Sequence, residues 1–319
     1  MLYSFIKIPA KFALWIYTRR LSINHKQLLN SRGPLMIACN HPNSFLDAII
    51  LATLFRRPVF SLARGDAFGN SFYAKLLRSL NMLPVYRVSE GVENLEHNYK
   101  TFDECKKIFK QKGIVLIFSE GRCINEWHLR PLKKGTARLA ISSWEDGIPL
   151  RVLPLGINYS SFKKFGKNMQ LNFGETITTD QLEWKSNDGK SILDFNDLLR
   201  KRLNGLVVEI EDGDHEKVRE KFAVAVPIWE KIALTIPALL GLLFHFPLYL
   251  PIRQFARHGM KEDGHYDAII VGLLFITYPI YLLLIALVAA LLICGYWWLL
   301  TFVCLPFCAW SYVQLKEQF

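Results

Sequence analysis

The chain of 319 residues carries 39 Lys and Arg against 28 Asp and Glu, a net charge of +11, and has length for one large domain or two with an ample core. The two parts differ: residues 1–222 hold 34 basic against 23 acidic residues, whereas 223–319 hold five of each and are mostly apolar, a pairing that points to an anionic membrane surface or anionic substrates. Six scattered cysteines (39, 105, 123, 294, 304, 308) exclude a disulfide framework, and there is no zinc-type constellation and no Walker or Rossmann glycine pattern.

Residues 1–20 mix aromatics and aliphatics with four cations, and Lys7, Pro9 and Lys11 interrupt the apolar run. This predicts an interfacial amphipathic helix over 1–25 that anchors at headgroup depth through Trp15, Tyr17, Arg19 and Arg20. Residues 34–39, an apolar run behind Gly33-Pro34 and ahead of a Pro-Asn-Ser turn, predict a buried strand that ends in Asn40 and His41. Asn43 or Ser44 can cap the helix that follows through residue 55, with Asp47 in its first turn facing back to His41. A His oriented by a carboxylate suits a general base acting on the hydroxyl of a substrate.

Further strands are predicted over 58–63, 81–87, 114–118, 151–158 and 168–174, and helices over 68–80, 94–111 and 191–210, with a charged connector over 211–220. Pro154 belongs at an edge or bulge of its strand. The 114–118 strand delivers Ser119-Glu120-Gly121-Arg122, and Lys133-Lys134-Gly135 then opens a helix. Backbone amides and cations there make an anion site. The alternation predicts a three-layer α/β catalytic domain over 26–222.

Asn40-His41 with Asp47, the strand ending in Arg87, the Ser119-Glu120-Gly121-Arg122 turn with Lys133-Lys134-Gly135, and the Pro-centred strand at 154 stand in one order along residues 40–160. In that order they resemble the four motifs of the glycerolipid acyltransferases, which act on glycerol-3-phosphate or 1-acylglycerol-3-phosphate. Five residues separate His41 from Asp47 where the family usually has four, Ser119 stands where Pro is usual, and Arg122 takes a Thr position. The resemblance implies an acyltransferase domain with a mixed sheet, His41 as base and Asp47 as its orienting partner. It implies that Arg87 contacts the acceptor's phosphate and that Glu120 and Gly121 shape the acceptor site. Arg122, Arg130 or Lys133 takes the role of the motif Arg, and Pro154 lies on the acyl-donor side. It further implies acyl-CoA or acyl carrier protein as co-substrate, with no other cofactor, no metal and no nucleic-acid partner expected.

The tail predicts location. Residues 268–293 form an uncharged run long enough for the roughly 30 Å hydrocarbon layer, Gly295 breaks it, and 296–314 form a second apolar run. Together they read as a transmembrane helical hairpin. Arg253, Arg257, Lys261 and Lys316 flank it and put its ends, and the catalytic domain, on the cytoplasmic face. Residues 231–250 contain Pro237 and Pro247, with Pro251 just beyond, and read as a re-entrant or surface-lying segment rather than a third span. The reading is thus an integral membrane O-acyltransferase of phospholipid biosynthesis. The alternatives are an acyltransferase for a phosphate-free lyso-lipid and a non-catalytic lipid-binding protein.

Overall fold

The computed structural model describes residues 2–86, 95–182, 189–258, 263–292 and 295–318. Its strands are β1 (Thr18–Ile23), β2 (Leu35–Cys39), β3 (Val59–Arg64), β4 (Met82–Val85), β5 (Ile114–Phe118), β6 (Arg151–Tyr159) and β7 (Lys167–Phe173). They form one sheet in the order β1-β7-β6-β2-β5-β3-β4, parallel at every step except the antiparallel β6–β7 pair. The helices are α1 (Leu2–Tyr17), α2 (Ser44–Leu54), α3 (Ser71–Ser79), α4 (Leu95–Lys110), α5 (Lys134–Glu145), α6 (Gly189–Asn204), α7 (His215–Phe222), α8 (Ile228–His258), α9 (Tyr266–Leu292) and α10 (Thr301–Leu315).

Successive residues of a strand face opposite sides of a sheet, and β2 shows how this builds the layers. Leu35, Ile37 and Cys39 pack with α2 and the end of α1, while Met36 and Ala38 pack with α4, α5 and α6. The result is the expected three-layer α/β domain with a mixed sheet. Because β2, β5 and β6 run parallel and in register, their carboxyl ends open on one edge.

The structure differs from the sequence reading in several elements. The N-terminal helix ends at Tyr17, and Thr18–Ile23 is an edge strand on β7. Tyr17 and Arg19 are therefore buried rather than set at headgroup depth. Arg19 Nε donates to Val313 O at 2.9 Å and its Nη2 donates to Lys316 O, so the cation satisfies carbonyls that the end of α10 leaves open.

Pro154 lies inside the sheet, opposite Ala38 on β2, rather than at an edge or bulge. Its missing N–H falls where β7 has already ended. Val152 on that side exchanges hydrogen bonds with Ile177, and Pro154 only accepts, from Gly174 N–H at 2.9 Å.

The predicted helix over 191–210 stops at Asn204, and the connector over 211–220 contains α7, capped by Asp214 Oδ1 accepting from Lys217 N–H at 2.9 Å.

Residues 231–250 lie within the continuous helix α8 despite its three prolines, a form that the surface-lying reading and a membrane span share. Packing against neighbouring helices is what lets an apolar helix keep such prolines. At Gly241 the approach is so close that a Cβ would fall 2.1 Å from Cys308 O. Three helical stretches among the described residues, Ile228–Arg257, Tyr266–Leu292 and Trp297–Leu315, are long and apolar enough to cross a membrane.

Candidate active site

The site forms where β2, β5 and β6 end. β2 releases the chain at Cys39, and Asn40 pins it to β6: Asn40 Nδ2 donates to Ile157 O at 3.0 Å, and Ile157 N–H returns a bond to Asn40 Oδ1 at 2.8 Å. His41 follows directly. Its Nδ1 lies 2.9 Å from Asp47 Oδ2, and its ring stacks on Phe118 at the end of β5 with centroids 3.7 Å apart. The His41 side chain is 17 % exposed and Asp47 is fully buried, so the imidazole opens to the surface while its partner is sealed.

Asp47 has two further donors. Asn43 N–H reaches Oδ2 at 2.8 Å, and the buried Tyr159 hydroxyl, at the end of β6, reaches Oδ1 at 2.6 Å. Burial, reinforced by the neighbouring Asp47, pushes the Tyr159 hydroxyl well above its ordinary range, so it remains a donor. With Nδ1 committed to Asp47, Nε2 is the ring nitrogen left for other contacts.

Glu120 organises the other side. It is 3 % exposed and bridges two backbone amides, with Oε2 accepting from His41 N–H at 2.9 Å and Oε1 from Arg130 N–H at 3.0 Å. Burial raises its carboxyl, and the two amides only partly offset this. Gly121 turns the chain with φ +67°, and a Cβ there would meet Lys133 Cγ at 3.0 Å. Lys133 N–H donates to Ser119 O at 2.8 Å, and the Thr136 hydroxyl bonds Ser119 Oγ at 3.1 Å. This ties the start of α5 to the end of β5.

Of the cations weighed from sequence, Arg130 is committed to Glu126, with its Nε 3.0 Å away. Arg122 and Lys133 are exposed. Arg87 lies outside the described residues. Pro154 opposes Ala38, one rung before the end of β2. The motif residues His41, Asp47, Glu120, Gly121 and Lys133 thus share one strand-end cluster.

Sequence reasoning also gave Asn43 or Ser44 a capping role. Neither side chain caps α2: the Asn43 amide donates to Asp267 Oδ2 at 2.8 Å, and Ser44 Oγ lies 2.6 Å from His265 Nδ1. Tyr159 and Phe118 were missed as well, although each ends a strand on the same edge as His41 and that position was a usable signal. Cys123 Sγ accepts from Ser44 N–H at 2.8 Å. Burial, then Asp47, pushes its thiol up to about 12, which leaves it inert as a nucleophile. No group of His, Cys, Asp and Glu among the described residues is arranged to hold a metal ion.

The described residues thus form an α/β domain with a His–Asp dyad at the carboxyl ends of its parallel strands. The sequence places it further. Residues 20–158 match the family profile described as Acyltransferase. Over 158 residues, 48 % of the chain, it is 25 % identical to glycerol-3-phosphate O-acyltransferase 2 of Saccharomyces cerevisiae, and the match spans 21 % of that protein's length. Among solved structures, the 1-acyl-sn-glycerophosphate (LPA) acyltransferase PlsC of Thermotoga maritima aligns at 14 % identity over 63 % of this chain and 78 % of its own, with a TM-score of 0.44.

Proposed function

We propose that the protein transfers a fatty acyl group from acyl-CoA or acyl carrier protein to the hydroxyl of glycerol-3-phosphate or 1-acylglycerol-3-phosphate, in phospholipid synthesis at a membrane. The observation that carries this reading is the 2.9 Å His41–Asp47 contact on the open edge of the sheet. His41 Nε2 takes the hydroxyl proton as the oxygen attacks the thioester carbonyl. The new C–O bond forms, the C–S bond breaks, and the proton passes from His41 to the departing thiolate. Asp47 holds the imidazole in one tautomer and stabilises its charged form. Glu120 fixes the backbone of His41, so the base is placed from both sides.

The exposed Arg122 and Lys133, with Arg87, grip the phosphate of the acceptor. Cations at a helix start suit such an anion, and remote grip of this kind orients the hydroxyl for attack. The acceptor class also follows the yeast relative, whose name gives glycerol-3-phosphate as its acceptor.

In this reading the catalytic domain lies on the cytoplasmic face. The first turn of α9, through Asp267, and the end of α10, through Val313 and Lys316, both bind the catalytic domain. That arrangement fits a hairpin with its two ends on one side. The exposed Phe5, Ile8 and Phe12 of α1 lie against the lipid, beside Trp15, which stacks on Trp310 at 5.5 Å.

The test is thiol release from an acyl thioester by the detergent-solubilised full chain. Glycerol-3-phosphate, 1-acylglycerol-3-phosphate and a phosphate-free lyso-lipid serve as separate acceptors. We expect turnover with a phosphorylated acceptor and a loss of about 10²- to 10⁴-fold in His41→Ala. Equal turnover in His41→Ala removes the base assignment. Turnover with the phosphate-free acceptor alone reassigns the substrate, and lyso-lipid binding without turnover makes the protein a lipid-binding one.

A further inference from the structure

The loop that carries His41 is held from the start of α9. Ser44 opens α2 with φ 50°, a left-handed conformation that costs a side-chain-bearing residue on the order of 1–3 kcal/mol and persists where neighbours enforce it. Three contacts do so. Ser44 N–H donates to Cys123 Sγ, Ser44 Oγ pairs with His265 Nδ1, and the adjacent Asn43 Nδ2 donates to Asp267 Oδ2. Two of the three come from the segment that starts α9.

Asp267 in turn pairs with Lys167 Nζ at the start of β7, and both side chains are sealed from solvent. The Lys167 ammonium also lies over the Tyr17 and Tyr159 rings, 5.7 and 5.6 Å from their centroids. A buried ion pair adds little net stability over apolar replacements of similar size, because desolvation offsets the attraction. Fixing a geometry is a use that such pairs do serve. The geometry in reach is that of the dyad: Asn43 bonds Asp267 through its side chain, and through its backbone N–H it bonds the same Asp47 oxygen that holds His41.

We propose that Asn43, Lys167 and Asp267 are positioning residues: the buried pair at the head of α9 fixes loop 42–44 in the conformation that aligns His41 with Asp47, which makes turnover depend on the first turn of a membrane helix. The catalytic consequence rests on the acyl-transfer reading above. The mechanical link rests on the hydrogen bonds alone.

The experiment uses the full chain in detergent and reads thiol release, thermal midpoint and amide hydrogen exchange over residues 42–48. In Lys167→Met/Asp267→Leu the pair becomes apolar and Asn43 loses its acceptor. We expect a midpoint close to wild type, a kcat lower by about 10- to 100-fold with KM for the thioester within about twofold, and faster exchange confined to 42–48. Lys167→Met/Asp267→Asn returns an acceptor oxygen without buried charge and should restore both kcat and protection. Asn43→Ala leaves the ion pair intact and should reproduce the loss, which keeps the test decisive if the first variant fails to fold. Wild-type kcat and exchange in Asn43→Ala overturn the proposal. If the wild-type chain turns over no acceptor, the acyl-transfer reading has failed, and unchanged exchange in Asn43→Ala would separately sink the link.

Discussion

Tyr159 and Asp47 meet across the sheet edge, the hydroxyl at the end of β6 donating to the buried carboxylate on α2 at 2.6 Å. The dyad therefore has a third member that holds the carboxylate from the side opposite His41. A hydrogen bond to a charged group is worth roughly 1.5–3 kcal/mol. Tyr159→Phe is expected to lower kcat about tenfold with KM little changed, because Asp47 keeps His41 and Asn43 as partners. Asp47→Asn, which offers His41 an amide in place of a carboxylate, should cost on the order of 10²-fold or more. Steady-state thiol release checks both, and a Tyr159→Phe enzyme as fast as wild type removes Tyr159 from the machinery.

Glu120→Gln separates shape from charge. Both carboxylate oxygens accept backbone N–H groups, and an amide has only one oxygen, so either the His41 or the Arg130 amide loses its acceptor. An orphaned buried donor costs roughly 1–3 kcal/mol, and the His41 backbone shifts with it. We expect at least a tenfold loss of kcat at neutral pH. Stability should respond to pH as well. Burial holds the Glu120 carboxyl above its ordinary value in the folded state, so folding binds an extra proton there. Its contribution is complete below the unfolded carboxyl's range and is lost as pH rises through the raised value. Thermal melts from pH 4 upward should therefore decline more steeply for wild type than for Glu120→Gln, and parallel curves would contradict the assignment.

Gly121 tests the turn. Its positive φ costs an L-residue roughly 1–2 kcal/mol, and a Cβ would press on Lys133 Cγ at 3.0 Å. Gly121→Ala should lower the thermal midpoint by a few degrees and displace Lys133. The signature is a raised KM for a phosphorylated acceptor with the thioester KM unchanged. A KM rise for both substrates alike would mean that the turn does not serve the acceptor side.

The sheet and most of the site were legible because apolar runs of strand length end in chemistry-bearing residues. Ile114–Phe118 stops immediately before Ser119 and Glu120, and Leu35–Cys39 stops just before Asn40 and His41. β1 was not legible: Thr18–Ile23 carries two arginines and pairs on one side only, so nothing in its pattern distinguishes it from the end of the preceding helix. The Asn43–Asp267–Lys167 link was hidden for a different reason. Its members are separated by 100 residues or more in sequence, and an acid at the head of an apolar run reads as an interfacial charge until the fold brings a lysine to it. Pro154 misled because the rule against proline inside a sheet concerns a missing donor, and at this rung the neighbouring strand asks for none.

Lys316 carries the last prediction. It follows α10, and burial, with Arg19, Lys164, Lys167 and Arg253 around it, lowers its ammonium to about 8. Its methylene chain lies against Gly166, where a Cβ would come 3.2 Å from Cε. An unfolded lysine titrates near 10.4, so between about 8 and 10.4 the folded chain has released a proton that the unfolded chain still binds. Stability from this group is then complete above the unfolded value and is lost as pH falls through the folded one. Thermal midpoints of the full chain in detergent should accordingly gain from this group as pH is raised from 8 to 10. Lys316→Met removes that gain and lifts the midpoint at pH 7, because no charge then has to be held among the other cations. Equal pH slopes for wild type and Lys316→Met would show that the ammonium reaches water, and the end of α10 would then be more open to solvent than its contacts with Arg19 and Gly166 indicate.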